Sequence, residues 1–303
     1  MSRIFLFSFG RKIALLAAMA VAASVLSVCR VGQRPFHKGI CEPSCAGYER
    51  VANATALHTA KHVLEGPLKL GSKCLGYFID LGGNRGDTID KFYSGYFSDL
   101  QGRRGLFVQG ESTLKLSMQD LERVCVLSFE ASPKWTKLLT EAREKQTRLG
   151  RHVFVYPETA VDLFWGHITL YVDELSTNGW ATSTNPFKKL IIERSEDKLK
   201  LRKVKGDRNM LKREAIVKAA DLTSILQVLS LTRKPIVLKM DIEGAEFKIL
   251  PHLLVNGHIC TVVSHLFIEW HFDIMKNSLV PENMHENLSY LLTTCGVDVI
   301  LGD

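Results

Sequence analysis

Phe78-Ile79-Asp80-Leu81-Gly82-Gly83-Asn84-Arg85-Gly86-Asp87-Thr88 is an apolar run that ends in an acid, passes through a glycine-rich turn and opens a helix. Cys74 to Ile79 has the continuous apolar character of a strand buried on both faces, and Thr88 to Tyr96 resumes with helix-compatible spacing. Strand, turn and helix in that order predict one step of a Rossmann-like sheet, with any ligand seated on the turn. Glycine serves there because a side chain would block a cofactor's approach to the backbone, and because some turn conformations suit no other residue. Asp80 supplies a fixed acceptor beside that gap. The spacing G-G-x-x-G is not the dinucleotide fingerprint G-x-G-x-x-G, and a tight turn without any ligand accounts for the same glycines.

Two later stretches strengthen the ligand reading. Val124 to Glu130 is a second buried strand ending in an acid, where a Rossmann-type sheet holds ribose hydroxyls. Lys239-Met240-Asp241-Ile242-Glu243-Gly244-Ala245-Glu246 is a third acidic strand end running into a helix. From Phe78 to His271 the chain resembles the FkbM family of S-adenosylmethionine-dependent methyltransferases. The family's D-x-G-x-x-x-G turn is similar to Asp80 to Gly86, its F-E-P-S-P strand end to Phe129-Glu130-Ala131-Ser132-Pro133, and its K-x-D-I-E-G-A-E to Lys239 to Glu246. Glu269-Trp270-His271 matches a further E-W-H. Ala131 stands where the family commonly has proline. The stretch from Asp80 to Glu130 is longer than the usual interval of about 20 residues, so Gly95 to Arg123 is expected to hold an insertion.

The resemblance implies a class I methyltransferase fold, a mostly parallel sheet flanked by helices, and S-adenosylmethionine as cofactor. That cofactor has no pyrophosphate to cradle. It needs an acceptor for its ammonium group, backbone access for its carboxylate and an acid for its ribose diol. Asp80, then Gly82, Gly83, Asn84 and Gly86, then Glu130 fill those roles in order, and Glu158 falls where such folds contact adenine. NAD would instead want its pyrophosphate after G-x-G-x-x-G, at a helix N-terminus.

Methyl transfer is an in-line displacement at a carbon activated by sulfonium, so positioning the nucleophile supplies much of the rate. An alcohol acceptor also benefits from a base. Asp241, Glu269 and His271 lie at adjacent strand ends in the expected sheet, and His271 alone among them has an ordinary pKa near neutrality. The catalytic set is therefore His271, supported by Asp241 and Glu269; a hydrogen-bonded structural histidine is the plainer reading of the same residue. Glu243 and Glu246 read as acids placed at a helix start, where the dipole favours them. Asp241 with Glu269 could also hold a divalent ion, but no metal is expected.

With 303 residues, 46% of them hydrophobic, the chain is long enough for one large domain with a real core. Much of the net charge of +7 lies between Lys188 and Arg213. That run reads as a solvated face, then as a contact for acidic glycan or a membrane surface. Nucleic acid is not expected, because no aromatic pattern interleaves the lysines.

Ile13 to Cys29 is apolar and uncharged, with basic residues on both sides. At about 1.5 Å per residue it spans about 26 Å, longer than a signal-peptide core and near the hydrocarbon thickness. A signal anchor is preferred to a cleaved signal peptide. The sequons Asn53-Ala54-Thr55 and Asn287-Leu288-Ser289 favour a luminal, ER or Golgi, catalytic domain.

Of seven cysteines, Cys29 belongs to the apolar segment. Cys125 and Cys260 are expected as buried thiols in core strands, and Cys41 and Cys45 as a tie in the stem, with each other or with Cys74. The expected organisation is a tail and anchor over residues 1–31, a stem and N-terminal helix over 32–70, and the methyltransferase-like domain over 71–303.

Along the remainder, Ala52 to Leu64 has helical spacing and could cover the sheet edge. Pro133 opens a helix to about Arg148, followed by a strand at Val153 to Tyr156. Ile168 to Val172 alternates as a short hairpin strand over the site. Pro235 to Leu238 and Ile259 to Ile268 read as core strands, and Asn283 to Thr294 as an amphipathic helix before Val297 to Leu301. The last antiparallel strand usual in class I methyltransferases is not legible before Asp303.

The function expected is O-methyl transfer to a hydroxyl of a sugar, glycan or other small polar acceptor. The alternatives are a dinucleotide or nucleotide-sugar enzyme on a similar sheet, and a secretory-pathway scaffold that has kept the fold without the chemistry.

Overall fold

The computed structural model describes residues 44–71, 73–99, 107–109, 112–114, 118–173, 182, 184, 212–271, 281 and 283–302. The apolar segment 13–29 and most of the basic run 188–213 lie outside the described residues. Among the described residues no helix is long and apolar enough to cross a membrane. The chain divides after Arg50 into two units, and the second, Val51–Asp303, carries all the described strands and the candidate site.

Its centre is a six-stranded sheet built from β1 (Tyr77–Leu81), β4 (Cys125–Glu130), β5 (Val153–Pro157), β9 (Ile236–Met240), β10 (Val263–Ile268) and β11 (Asp298–Leu301). The spatial order is β11-β10-β9-β1-β4-β5 and every pairing is parallel. The chain thus winds outward from β1 through β4 to β5, returns to β9 on the other side of β1, and winds outward again to β11. This is an α/β, Rossmann-like architecture whose switch point lies between β1 and β9. All residues of β1 and β4 are buried, which is why they read as unbroken apolar runs rather than alternating ones.

Successive side chains of each strand serve opposite layers. Tyr77, Ile79 and Leu81 join Leu127, Leu238, the helix Leu222–Ser230 and the helix Glu246–Val255 in one core. Phe78 joins Val126, Val237 and Phe92 of the helix Asp87–Tyr93 in the other. Asp80, Ser128 and Lys239 share the register that would otherwise carry this second apolar layer outward.

Several elements differ from expectation. The helix Ser44–Val63 begins earlier than the apolar spacing suggested, and it does reach the β5 edge, where the Tyr156 hydroxyl donates to the Val63 carbonyl at 3.4 Å. Ile259 to Val262 is not strand: the helix His258–Val262 precedes β10, so a strand-like run of apolar residues conceals a helical turn. The segment around Ile168 is a longer strand, β7 (Gly166–Asp173), antiparallel to β8 (Lys212–Asp221), which in turn pairs in parallel with β6 (Thr159–Asp162). These three form a separate sheet. The chain passes from β5 to β6 through Glu158, whose φ of 51° turns it out of the main sheet. In the expected insertion, β2 (Phe107–Gln109) and β3 (Ser112–Leu114) form a short antiparallel hairpin. β11 pairs with β10 in parallel.

The cysteine expectation is overturned for Cys74, Cys125 and Cys260, while a tie between Cys41 and Cys45 lies outside the described residues. Cys74 is disulfide-bonded to Cys125 and Cys260 to Cys295, with Cα–Cα distances of 5.5 and 5.4 Å. Cys125 opens β4, and Cys74 lies just before β1 on the neighbouring strand, so one bond ties together the two strands that carry Asp80 and Glu130. Cys260 sits on the helix His258–Val262 rather than on a strand, which lets it meet Cys295 at the end of the helix Met284–Thr294.

Candidate functional site

The carboxyl ends of β4, β1, β9 and β10 lie side by side: β4 ends in Glu130, β1 carries Asp80 one residue before its end, and β9 and β10 lead directly into Asp241 and Glu269. The turn after β1 is locked to β4 by backbone bonds, since Gly82 N and Gly83 N both donate to the Phe129 carbonyl at 3.0 Å. Gly82 and Gly86 both have φ of 88°, a conformation that suits glycine. The space beside these glycines is filled by protein. A Cβ on Gly82 would stand 1.9 Å from the Asp241 carbonyl oxygen, one on Gly83 2.1 Å from Ser128 Oγ, and one on Gly86 2.5 Å from Ala142 Cβ. Close packing of the turn against β9, β4 and the helix Thr136–Arg148 therefore demands glycine whether or not a ligand binds. This replaces the cofactor-approach reason inferred from sequence. Gly82→Ala combines left-handed strain with a backbone clash and is expected to cost about 3 kcal/mol of unfolding free energy, read from the denaturation midpoint. An unchanged midpoint would remove the packing explanation.

Glu130 holds the turn from the other side. Its Oε2 accepts from Asn84 N at 2.7 Å and its Oε1 from Ser132 N at 2.6 Å. Burial nevertheless pushes its pKa up to about 7, against those two bonds. Asp80 is fully buried. Its Oδ2 accepts from the Ser128 hydroxyl at 2.7 Å, while Oδ1 has no hydrogen bond and faces Lys239 Nζ at 3.5 Å. Burial raises its pKa, and the nearby Lys239 and Ser128 oppose that shift without cancelling it. Asn84 Oδ1 is a second buried oxygen with no hydrogen-bond partner. Two buried oxygens without a hydrogen-bond partner, one of them ion-paired with Lys239, fit a ligand that brings N–H and O–H donors, such as an ammonium group and a ribose diol.

Lys239 joins this turn to the second cluster. Its ammonium donates to the Gly82 carbonyl at 3.0 Å and to Asp241 Oδ2 at 3.1 Å. Burial pulls its pKa down, but the Asp80 and Asp241 carboxylates more than offset this and hold it above its ordinary value. Beyond Asp241 stands His271, whose Nε2 lies 3.5 Å from Asp241 Oδ1 and 3.8 Å from Glu269 Oε1, and whose Nδ1 lies 2.8 Å from Glu246 Oε1. Burial and the Asp241 carboxylate both raise the pKa of Glu269. Asp80, Lys239, Asp241, His271 and Glu269 thus form one continuous chain of contacts across β1, β9 and the end of β10.

The two residue groups expected from sequence, one for cofactor and one for catalysis, are brought together. Glu158 is placed one strand beyond Glu130, exposed, its Oε1 accepting from the Thr136 hydroxyl at 3.1 Å. Lys239 and Glu246 carried no such role in the sequence reading. A lysine inside an otherwise apolar buried strand was the available signal, because such a charge must find a partner. Glu246 is the first residue of its helix but caps none of its N–H groups: Oε1 accepts from Ile242 N at 3.1 Å, ahead of the helix, and the same oxygen also holds the histidine. Comparison with protein-family models, with curated proteins and with solved structures finds no match for this chain.

Proposed function

We propose that the protein is an S-adenosylmethionine-dependent O-methyltransferase of the FkbM type, acting on a hydroxyl of a sugar, glycan or other small polar molecule. The observation that carries this reading is a pair of buried oxygens without a hydrogen-bond partner, Asn84 Oδ1 and the Lys239-paired Asp80 Oδ1, at a glycine turn joined through Lys239 to the Asp241–Glu269–His271 cluster. When bound, the cofactor supplies a methyl carbon activated by a positive sulfur. In this reading Asp80 and Asn84 take its donors, Glu130 takes the ribose diol, and Glu158 stands near the base. Asp241, Glu269 and His271 orient the acceptor hydroxyl and receive its proton as the new carbon–oxygen bond forms and sulfur keeps the electrons of the broken bond. The two disulfides favour an oxidising compartment, in keeping with a luminal domain anchored by residues 13–29.

An all-parallel order is also that of dinucleotide-binding sheets, so NAD is the control ligand. Calorimetric titration of the full chain should show binding of S-adenosylmethionine and none of NAD. A diol donates best to a carboxylate, so affinity should rise about tenfold from pH 6 to pH 8 as Glu130 ionises, and Glu130→Gln should abolish that rise. The same shift bears on stability with the opposite sense. Glu130 is protonated in both states below the ordinary carboxylate range, so its contribution is present there and is lost as pH rises through about 7. Binding of NAD alone would favour the dinucleotide reading, and binding of neither a scaffold.

A further inference from the structure

Around His271 four carboxylates converge on one imidazole. Nδ1 is taken by Glu246 at 2.8 Å, while Nε2 faces Glu243 Oε2 at 3.3 Å, Asp241 Oδ1 at 3.5 Å and Glu269 Oε1 at 3.8 Å. Donor atoms around a divalent ion at about 2.1 Å stand about 3.0–3.4 Å apart. Asp241, Glu269 and His271 each offer one atom within 4.8 Å of the other two, and the Glu269 side chain, half-exposed at its strand end, has room to close the remainder.

Two features set this cluster apart from an acidic surface patch. The imidazole is held from behind by a fully buried carboxylate, the arrangement that fixes a histidine's tautomer and turns its other nitrogen toward a metal. That carboxylate also keeps a second buried oxygen, Glu246 Oε2, without a hydrogen-bond partner beside the ring. The Lys239 ammonium pairs with Asp80 and with Asp241 Oδ2, leaving Asp241 Oδ1 toward the histidine.

The geometry points to a divalent-cation site formed by Asp241 Oδ1, Glu269 Oε1 and His271 Nε2, with Glu246 as the positioning residue behind the histidine. One imidazole with two carboxylates suits Mn²⁺, Fe²⁺ or Zn²⁺ better than Ca²⁺ or Mg²⁺. In the function proposed above, on which this role but not the binding itself rests, a bound ion would polarise the acceptor hydroxyl, and its proton would pass to solvent in place of the three side chains, with His271 a ligand rather than the base.

The test is a titration of Mn²⁺ into the chelator-treated full chain, without cofactor or acceptor, followed by the electron paramagnetic resonance signal of free Mn²⁺. A single equivalent should be silenced. Glu269→Gln and His271→Ala should each weaken binding at least tenfold and Glu246→Gln by about 10–100-fold, while Glu141→Gln, on a distant exposed helix face, should not. Glu269→Gln removes no buried group and so answers even if the other variants fail to fold. An unquenched signal in the unaltered chain, or equal quenching with Glu269→Gln, overturns the site. Mn²⁺ binding without S-adenosylmethionine binding would keep the site and end the methyltransferase reading; the reverse pair of results would do the opposite.

Discussion

His271→Ala is expected to lower methyl transfer by roughly 10²–10⁴-fold while affinity for S-adenosylmethionine stays within about threefold. The separation follows from position. His271 lies beyond the end of β10 and touches Asp241, Glu243, Glu246 and Glu269, whereas the oxygens assigned to the cofactor belong to β1, its turn and β4. Removing the imidazole leaves Glu246 Oε1 with only its Ile242 N–H donor, a loss of about 1–3 kcal/mol that should lower the melting temperature without unfolding the chain. Cofactor titration and turnover measured on one sample decide the matter. Normal binding with normal turnover removes His271 from the chemistry, and loss of folding or of cofactor binding makes it structural. Where turnover falls, added Mn²⁺ identifies the role. A ligand regains activity with added Mn²⁺, and a base does not.

Replacing both Cys74 and Cys125 by alanine is expected to cost about 4 kcal/mol, the loop-closure entropy of a cross-link spanning 51 positions. That is a large share of the stability of an ordinary domain. The urea midpoint should fall with little change in slope. The bond is inaccessible in the native protein, since Cys74 and Cys125 are at most 1% exposed. Thiol titration of the unaltered chain after denaturation should therefore find all four of Cys74, Cys125, Cys260 and Cys295 unreactive until a reductant is added. Free thiols at these positions would remove both the pairing and the support it lends to an oxidising compartment. In a eukaryotic secretory host the same chain should lose mass on endoglycosidase treatment through Asn287, which is exposed on its helix.

The inner strands β1, β4, β9 and β10 were legible in sequence because strands buried on both faces must be apolar almost throughout, and because the acids at the ends of β4 and β9 interrupt that pattern where a sheet meets its ligand. Asp80, Glu130, Asp241, Glu269 and His271 could be singled out for the same local reason. Pairing across strands is not local. Whether Lys239 neutralises Asp80 depends on β9 lying beside β1 with Asp80 opposite Lys239, and the periodicity of either strand is the same for any neighbour. Cys260 looked like a core-strand thiol because its neighbours are apolar. Only the helical turn before β10 brings it within 5.4 Å of Cys295. The glycines of the turn show both limits at once. Their presence in sequence announced a tight, side-chain-free bend, but the carbonyl of Asp241, the hydroxyl of Ser128 and the methyl of Ala142 that require it come from segments 45 to 159 residues further along the chain, brought there by the winding of the sheet.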